Sequence, residues 1–520
     1  MRTFWRKVGL LVSFCWTVAF EGLEPVPVRV EVDISKGLPS FNLVGLPDTV
    51  VKESKERVRS ALKNNGFTFP SNRVVVNLVP ADLKKEGSHF DFPIALALLS
   101  ALGELPNLSD WLIFGELSLN GELERTKGAI LAASLAKDRG LRFLFPSKNL
   151  LEVSPVASGL SAYAVGNLSQ AFAFLKGMLN LETVKPSFLE PLPFESEFDM
   201  SDVKGQAFAK RALEIGASGW HNIIMIGPPG SGKTMLSKIL ASLLPPMSEE
   251  EVVEVSKIYS LSGHLGDGLI LQRPFRSPHH TISEVGLCGG GGSPRPGEIT
   301  LAHRGVLFLD ELPEFSRRSL EILRQPLEEG RVSLSRAGYS VNLPARFLLI
   351  CAMNPCPCGF LGDPERECKC TPMAIRRYFS KLSGPLIDRI DLHVEVPRLK
   401  PNELVSDASS SKLETNEDVR RRVSKAWEIQ KQRFSSPFKF NSMMTPQEIK
   451  KFCFLGKEER GFLRKAISDL GLTARAYSKV LKVARTIADL QDSSEIKVEH
   501  LAEALSFRLL DREETPWTTV

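Results

Sequence analysis

Cysteine is scarce in this 520-residue chain: there are 8, and four of them crowd into residues 356–370. A disulfide framework needs cysteines spread over the fold, so that class of stabilisation is excluded and a reducing, cytoplasmic setting is implied. Long apolar runs are missing too. Residues 8–20 follow Arg2, Arg6 and Lys7 and imitate a signal peptide. No small-x-small cleavage site follows, and the run is too short to span a bilayer. It reads as a first strand, and no membrane partner is expected. There is no long-period internal repeat of the kind that builds solenoids. Nor does one charge sign dominate, with 66 Lys and Arg against 61 Asp and Glu.

A hydrophobic content of 43% and a charged content of 24% are those of an ordinary globular protein. The length exceeds what one core organises, so two or three domains are expected. Charge is unevenly placed. Residues 419–485 carry 17 Lys plus Arg against 5 Asp plus Glu, a local net of +12 that leaves about −7 for the rest of the chain. A basic region on an acidic body suits a polyanion such as DNA, or acidic neighbours from another subunit.

Patterning divides the chain. Residues 1–180 alternate strand and helix signals, as in an α/β domain. VPVRVEVDI alternates like a half-buried strand, and RVVVNLVP reads as a buried one. TVVKESKERVRSALKNNGF puts Val51, Val58, Ala61 and Leu62 on one helical face before an Asn65-Gly66 stop. FPIALALLSALG reads as an apolar helix, and WLIFGELSLNGEL as a hairpin around Asn120-Gly121. Residues 181–200 form a linker with prolines and scattered acids, and 201–400 a second α/β region. Residues 401–418 are polar, with three consecutive serines at 409–411, and read as a mobile linker. Residues 419–511 are helical, with Tyr477, Val480, Leu481, Ala484, Ile487 and Ala488 as an apolar stripe; 512–520 are a tail.

NIIMIGPPGSGKTML carries the strongest chemical signal. An apolar strand leads into Gly227, Pro228, Pro229, Gly230, Ser231, Gly232, Lys233 and Thr234, and a helix follows. Strand, glycine-rich loop and helix N-terminus together turn backbone N–H groups toward phosphates. Lys233 should reach the β- and γ-phosphates of ATP, and Thr234 should ligate Mg2+. GVLFLDEL then delivers Asp310 and Glu311 at a strand end. Asp310 would hold the Mg2+ shell, and Glu311 would polarise the attacking water. RFLLICAMN ends in Asn354, a polar residue able to hold that water. Arg389, flanked by Asp388 and Asp391, fits either a local salt bridge or a finger projected into a neighbour's site. Cys356-Pro-Cys358 and Cys368-Lys-Cys370 make two pairs separated by nine residues. Four thiolates at that spacing suit a tetrahedral Zn2+, with free thiols or a redox pair as the alternative.

The stretch RPFRSPHHTISEVGLCGGGGSPRPGEITLAHRGVLFLDELPEF, with LSGPLIDRID and GLTARAYSKVLKVARTIADL, resembles the YifB/ComM branch of the Mg-chelatase-like AAA+ family. The resemblance covers nearly the whole chain. It implies a Lon-protease-like (ribosomal S5 domain 2-like) α/β N-terminal domain, a P-loop AAA+ core with a parallel sheet, and a helical lid. It also implies a homo-hexameric ring acting on DNA. On this resemblance Asn354 looks like sensor 1, Arg389 like the arginine finger and Arg475 like the sensor 2 arginine. Residues 273–297 and the hairpin RVSLSRAGYSVNLPARF look like channel-facing insertions, bringing Arg295, Arg331 and Arg336 to DNA phosphates. The bland alternative is that these insertions pack subunits together. GASGWHN departs from the family's run of small residues at Trp220.

GELSLNGELERTKGAILAASLAKDRG is similar to the proteolytic domain of Lon, with Lys127 at the lysine position of a Ser–Lys dyad. The serine should come from a turn that here reads EGSHFDF. His89 falls at the nucleophile position and Ser88 lies one residue early, so this domain reads as not proteolytic. Metal insertion into a tetrapyrrole, ATP-dependent proteolysis and protein remodelling are the competing functions.

Overall fold

The computed structural model describes residues 13–511 except 267, 292–294, 337–338, 364 and 399–413. Most of the polar stretch expected as a mobile linker therefore lies outside the described residues, as do residues 1–12 and the 512–520 tail. The chain divides into two compact units, Met1–Glu190 with Glu249–Ile270, and Pro191–Ser248 with Leu271–Val520. Among the described residues, no helix is long and apolar enough to cross a membrane.

The first unit is built on seven strands: β1 (Ser13–Glu21), β2 (Glu24–Ser35), β3 (Ser40–Val44), β4 (Arg73–Val79), β5 (Trp111–Ile113), β6 (Arg142–Pro146) and β7 (Ala162–Val165). Their order is β3-β4-β2-β1-β5-β6-β7. β1 to β2 and β2 to β4 are antiparallel, and the remaining pairings are parallel. The described part of the early apolar run lies in β1, as the sequence pattern suggested. In β2 the alternation puts Val28, Val30 and Val32 inside at 0% exposure, as a one-sided strand requires. Asp48 caps the helix Thr49–Asn64 by accepting from the Val51 N–H at 2.7 Å. Val51, Val58, Ala61 and Leu62 all face inward there. Glu116–Leu117 pairs with Leu123–Glu124 across the turn at Asn120-Gly121.

Helix Glu249–Ser262 follows residues 191–248 of the second unit in sequence yet belongs to the first unit. Buried polar groups hold it there. Ser260 Oγ donates to Glu152 Oε1 at 2.6 Å and accepts from the Gly128 N–H at 2.7 Å. Glu152 also accepts from Asn149 Nδ2 at 2.8 Å and from the Ile130 N–H at 3.0 Å. Ser88 and Lys127, weighed above as a serine–lysine pair, have separate partners. Ser88 donates to the Glu116 carboxylate, whereas the Lys127 side chain lies against Gly263. Among the described residues, no hydrogen bond or ion pair joins Ser88 to Lys127. His89 is buried, with Nε2 at 2.8 Å from the Val18 carbonyl oxygen, and burial pushes its pKa down to about 4.

The second unit holds a five-stranded, wholly parallel sheet of β8 (Ile223–Ile226), β9 (Phe275–Arg276), β10 (Val306–Leu309), β11 (Leu348–Met353) and β12 (Leu392–Glu395). The order is β9-β10-β11-β8-β12. β8, β10 and β11 are buried at every position, which explains their unbroken apolar sequences. The helical region begins at Asn416, where Thr415 and Asp418 form a capping box. In helix Ala474–Leu490 the stripe Val480, Leu481, Ala484, Ile487 and Ala488 is buried in one core with Ile223, Met225 and Phe308. Tyr477 departs from that stripe and is 37% exposed. Trp220 ends helix Ala207–Gly219 in a left-handed conformation, φ 56°, which a bulky residue rarely adopts. Its indole stacks on Phe440 at 5.2 Å, which anchors it.

Buried charges fasten the helical region. Asp489 accepts from Arg433 Nη1 at 2.6 Å, Asn441 Nδ2 at 2.8 Å and Arg485 Nε at 3.1 Å. Its side chain is 1% exposed. Asp489→Ala leaves two guanidinium groups without their carboxylate, and should cost about 3–5 kcal/mol. Glu499→Ala, at an exposed side chain, should cost under about 0.5 kcal/mol. Thermal unfolding of the two variants beside the parent chain checks this.

Candidate functional site

In a parallel sheet all strand ends of one kind share an edge, so β8, β10 and β11 deliver their following residues side by side. β8 runs into Gly227, which has no room for a side chain: a Cβ would lie 2.1 Å from the Val396 carbonyl oxygen. Gly232 takes φ 89° and caps the helix Lys233–Leu243. The loop therefore closes over the helix N-terminus, with its N–H groups and partial positive charge turned to one place.

Lys233 Nζ lies in that loop, 2.8 Å from the Gly227 carbonyl oxygen and 2.9 Å from that of Pro228. Ser231 Oγ is at 3.5 Å and Asn354 Oδ1, just beyond β11, at 3.4 Å. Burial pushes the lysine pKa down to about 8, and Asp310 acts in the opposite sense. Thr234 Oγ1 donates to Asp310 Oδ2 at 3.1 Å. Neighbouring oxygens of an octahedral Mg2+ with bonds of about 2.1 Å stand about 3 Å apart, so this pair fits a Mg2+ carried with a triphosphate. Asp310 Oδ1 accepts from the Glu311 N–H at 2.9 Å. Glu311 sits at φ 52° with its carboxylate half exposed. Lys233, Thr234, Asp310, Glu311 and Asn354 are thus brought together by three adjacent strands.

Two arginines are not. Arg389 donates to the Glu328 carboxylate and the Pro385 carbonyl oxygen rather than to its flanking acids. The local bridge to Asp388 or Asp391 is therefore absent, because both carboxylates are taken up elsewhere. Asp388 accepts from Arg475 Nη1 at 2.8 Å, and Asp391 pairs with Lys479 at 3.1 Å and His221 at 3.2 Å. Among the described residues, no hydrogen bond or ion pair links Arg389 or Arg475 to Lys233, Thr234, Asp310 or Glu311. Arg475 is engaged with Asp388, the residue before Arg389.

Of the arginines assigned to DNA, Arg295 is exposed on the short hairpin Gly289–Gly290/Arg295–Pro296. Arg331 opens the hairpin Arg331–Arg336/Tyr339–Pro344 and pairs with Glu329 at 3.0 Å. The Arg336 side chain and the hairpin tip at 337–338 lie outside the described residues. The four cysteines do converge: all four Sγ atoms lie within 4.8 Å of one another, and none is in a disulfide.

Sequence reasoning passed over one contact. His280 Nδ1 is 3.2 Å from Glu311 Oε2. The histidine lies inside the SPHHT segment, but its spacing carries no sign of which carboxylate it will meet. Gln206 was missed as well; its Nε2 donates to the Ser231 carbonyl oxygen at 3.0 Å.

Residues 199–404 match the family model for magnesium chelatase, subunit ChlI. Residues 30–149 match that for subunit ChlI of Mg-chelatase, and 413–508 that for the ChlI C-terminal region. The chain is 44% identical to the uncharacterized protein YifB of Escherichia coli over 505 residues, covering 96% of this chain and 98% of the relative. It is 43% identical to the competence protein ComM of Haemophilus influenzae over 509 residues, covering 96% and 98%. The magnesium-chelatase 38 kDa subunit of Cereibacter sphaeroides is more distant, 25% identical over 40% of this chain and 59% of its own.

The lowered lysine pKa has a sign that binding reads. A triphosphate favours the charged ammonium, so above about pH 8 the free site must take up a proton as it binds. The Kd for ATP should then rise by up to about tenfold per pH unit above pH 8 and stay flat near pH 7. Calorimetry in two buffers of different ionisation enthalpy checks it, with proton uptake growing between pH 7 and 9.

Proposed function

This chain belongs to the YifB/ComM family of Mg-chelatase-like AAA+ ATPases, and from that premise we propose that it is a cytoplasmic, homo-hexameric motor that couples ATP hydrolysis to movement on DNA. The single observation that carries the ATPase reading is the convergence of Lys233, Thr234, Asp310, Glu311 and Asn354 at one sheet edge. Lys233 and the loop N–H groups bind and orient the triphosphate. Thr234 and Asp310 hold its Mg2+, which supplies charge neutralisation there. Glu311 accepts a proton from the attacking water, and Asn354 keeps that water in line.

Arg389 supports the ring. It is not bonded to its own chain's loop; it pairs with an exposed acid, Glu328, from which a neighbouring subunit's phosphate can draw it. Arg475, paired with Asp388, is read as the sensor 2 arginine that reaches the γ-phosphate from the helical lid. The basic balance of residues 419–485 and the arginines Arg295, Arg331 and Arg336 support DNA as the polyanion. A structural Zn2+ on Cys356, Cys358, Cys368 and Cys370 completes the cofactor set beside ATP and Mg2+. Separate partners for Ser88 and Lys127 support a Lon-like domain that does not cleave peptides.

Single-stranded, duplex and four-way-junction DNA should each be tried as stimulants of ATP turnover at low salt. A several-fold rise that fades with added salt is expected; no stimulation by any of them sinks the DNA reading while leaving the ATPase intact. Lys233→Ala should abolish turnover, and Glu311→Gln should retain ATP but lose about 100-fold or more in kcat.

Arg389→Ala should be inactive alone. Mixing it with Lys233→Ala subunits, which carry an intact Arg389, should restore part of the activity. Absence of any rescue in such mixtures counts against a finger acting in trans.

A further inference from the structure

Between Asn354 and the helix Pro372–Phe379 the described residues form neither helix nor strand. A connection this long within a compact domain needs something besides backbone ladders to hold it. It nevertheless meets the nucleotide loop closely. Gly359, at φ 84°, is so near Pro229 that a Cβ would lie 2.6 Å from the proline Cδ and 2.8 Å from its Cγ. The segment starts at Asn354, 3.4 Å from Lys233 Nζ. It returns through Tyr378, which is hydrogen-bonded to the Asn354 backbone and whose phenol is pushed upward in pKa by burial.

The same segment carries the four thiols. Cys356 Sγ is 3.3 Å from that of Cys358 and 3.6 Å from that of Cys368, and Cys358 and Cys368 are 3.6 Å apart. Disulfide sulfurs would stand about 2 Å apart. Four thiolates around a tetrahedral Zn2+, with bonds of about 2.3 Å, stand about 3.8 Å apart, which is much nearer to what is found. Cys356 is fully buried, two residues beyond Asn354 and three before Gly359. An ion at this point fixes both contacts with the nucleotide loop at once.

Resting on the ATPase reading above, we propose that Zn2+ bound by Cys356, Cys358, Cys368 and Cys370 braces the nucleotide loop. The metal closes the 356–370 segment on itself, Gly359 presses on Pro229, and Asn354 is kept beside Lys233. The cysteines and Gly359 are positioning residues: none touches ATP. Loss of the ion frees the segment, because a closed metal loop restricts the chain much as a covalent one does.

Full-length protein purified without chelator should contain one zinc per chain by elemental analysis. Cys356→Ser and Cys368→Ser should lose it. Gly359→Ala keeps all four thiols but forces the loop away from Pro229; it should retain zinc while the KM for ATP rises roughly 10- to 100-fold, more than kcat falls. Zinc release by an organomercurial, followed with a chromogenic chelator, should reproduce that KM shift in the parent chain. Absence of zinc with four freely alkylated thiols overturns the site, and iron in its place overturns the ion's identity. If zinc is bound but neither Gly359→Ala nor zinc release moves KM, while Lys233→Ala abolishes turnover, the brace is wrong and the ATPase reading stands. If Lys233→Ala turns over ATP like the parent chain, it is the ATPase reading that fails.

Discussion

A lysine ammonium held between the carbonyl oxygens of Gly227 and Pro228 at the mouth of β8 is the interaction around which the second unit is organised. A buried cation is costly unless it is hydrogen-bonded and has an anion to meet. Carbonyl oxygens satisfy it only in part, and Asp310 is the charge that acts on it most directly. The arrangement exists because Gly227 lies against the Val396 carbonyl oxygen and Gly232 turns the backbone left-handed. It is a site prepared for a ligand carrying several negative charges.

The parallel sheet does the remaining work of assembly. With β11 between β10 and β8, the acid pair Asp310-Glu311 and the amide of Asn354 arrive beside the same loop with no further adjustment. The helical region is tied to that sheet through one apolar core and through buried ion pairs. Asp391, beside β12, meets Lys479 and His221, and His221 Nε2 is 2.8 Å from Thr486 Oγ1. Several cations lower the Asp391 pKa far below the usual carboxylate range, despite burial that opposes it. Those pairs leave Arg475 to Asp388 and Arg389 to Glu328.

The cysteine segment gives the loop its other boundary. Gly359 meets Pro229 and Asn354 meets Lys233, so what holds the segment in place bears on the geometry of Lys233. His280 reaches Glu311 from another excursion of the same unit, so the acid that would activate water already has a partner that binding must displace or keep.

The glycine-rich loop, the acid pair and three of the five parallel strands, β8, β10 and β11, were legible in the residues alone. Their information is local: glycines where the backbone must turn, apolar runs where strands are covered on both faces, and a helix N-terminus directly behind the loop. The convergence of the four cysteines was also legible, since two closely spaced Cys-x-Cys pairs need only one short loop to meet. What tertiary structure decided were the pairings over distance. Helix Glu249–Ser262 belongs with the first unit because Ser260 finds Glu152, 108 residues away, and no periodicity records that. Arg389 ignores the acids beside it for Glu328, Tyr477 leaves its apolar stripe for solvent, and Gly359 meets Pro229. Sequence fixes backbone conformation and burial pattern through short-range sterics and periodicity; which side chains then touch depends on how finished elements dock, and that is settled only when the whole core closes.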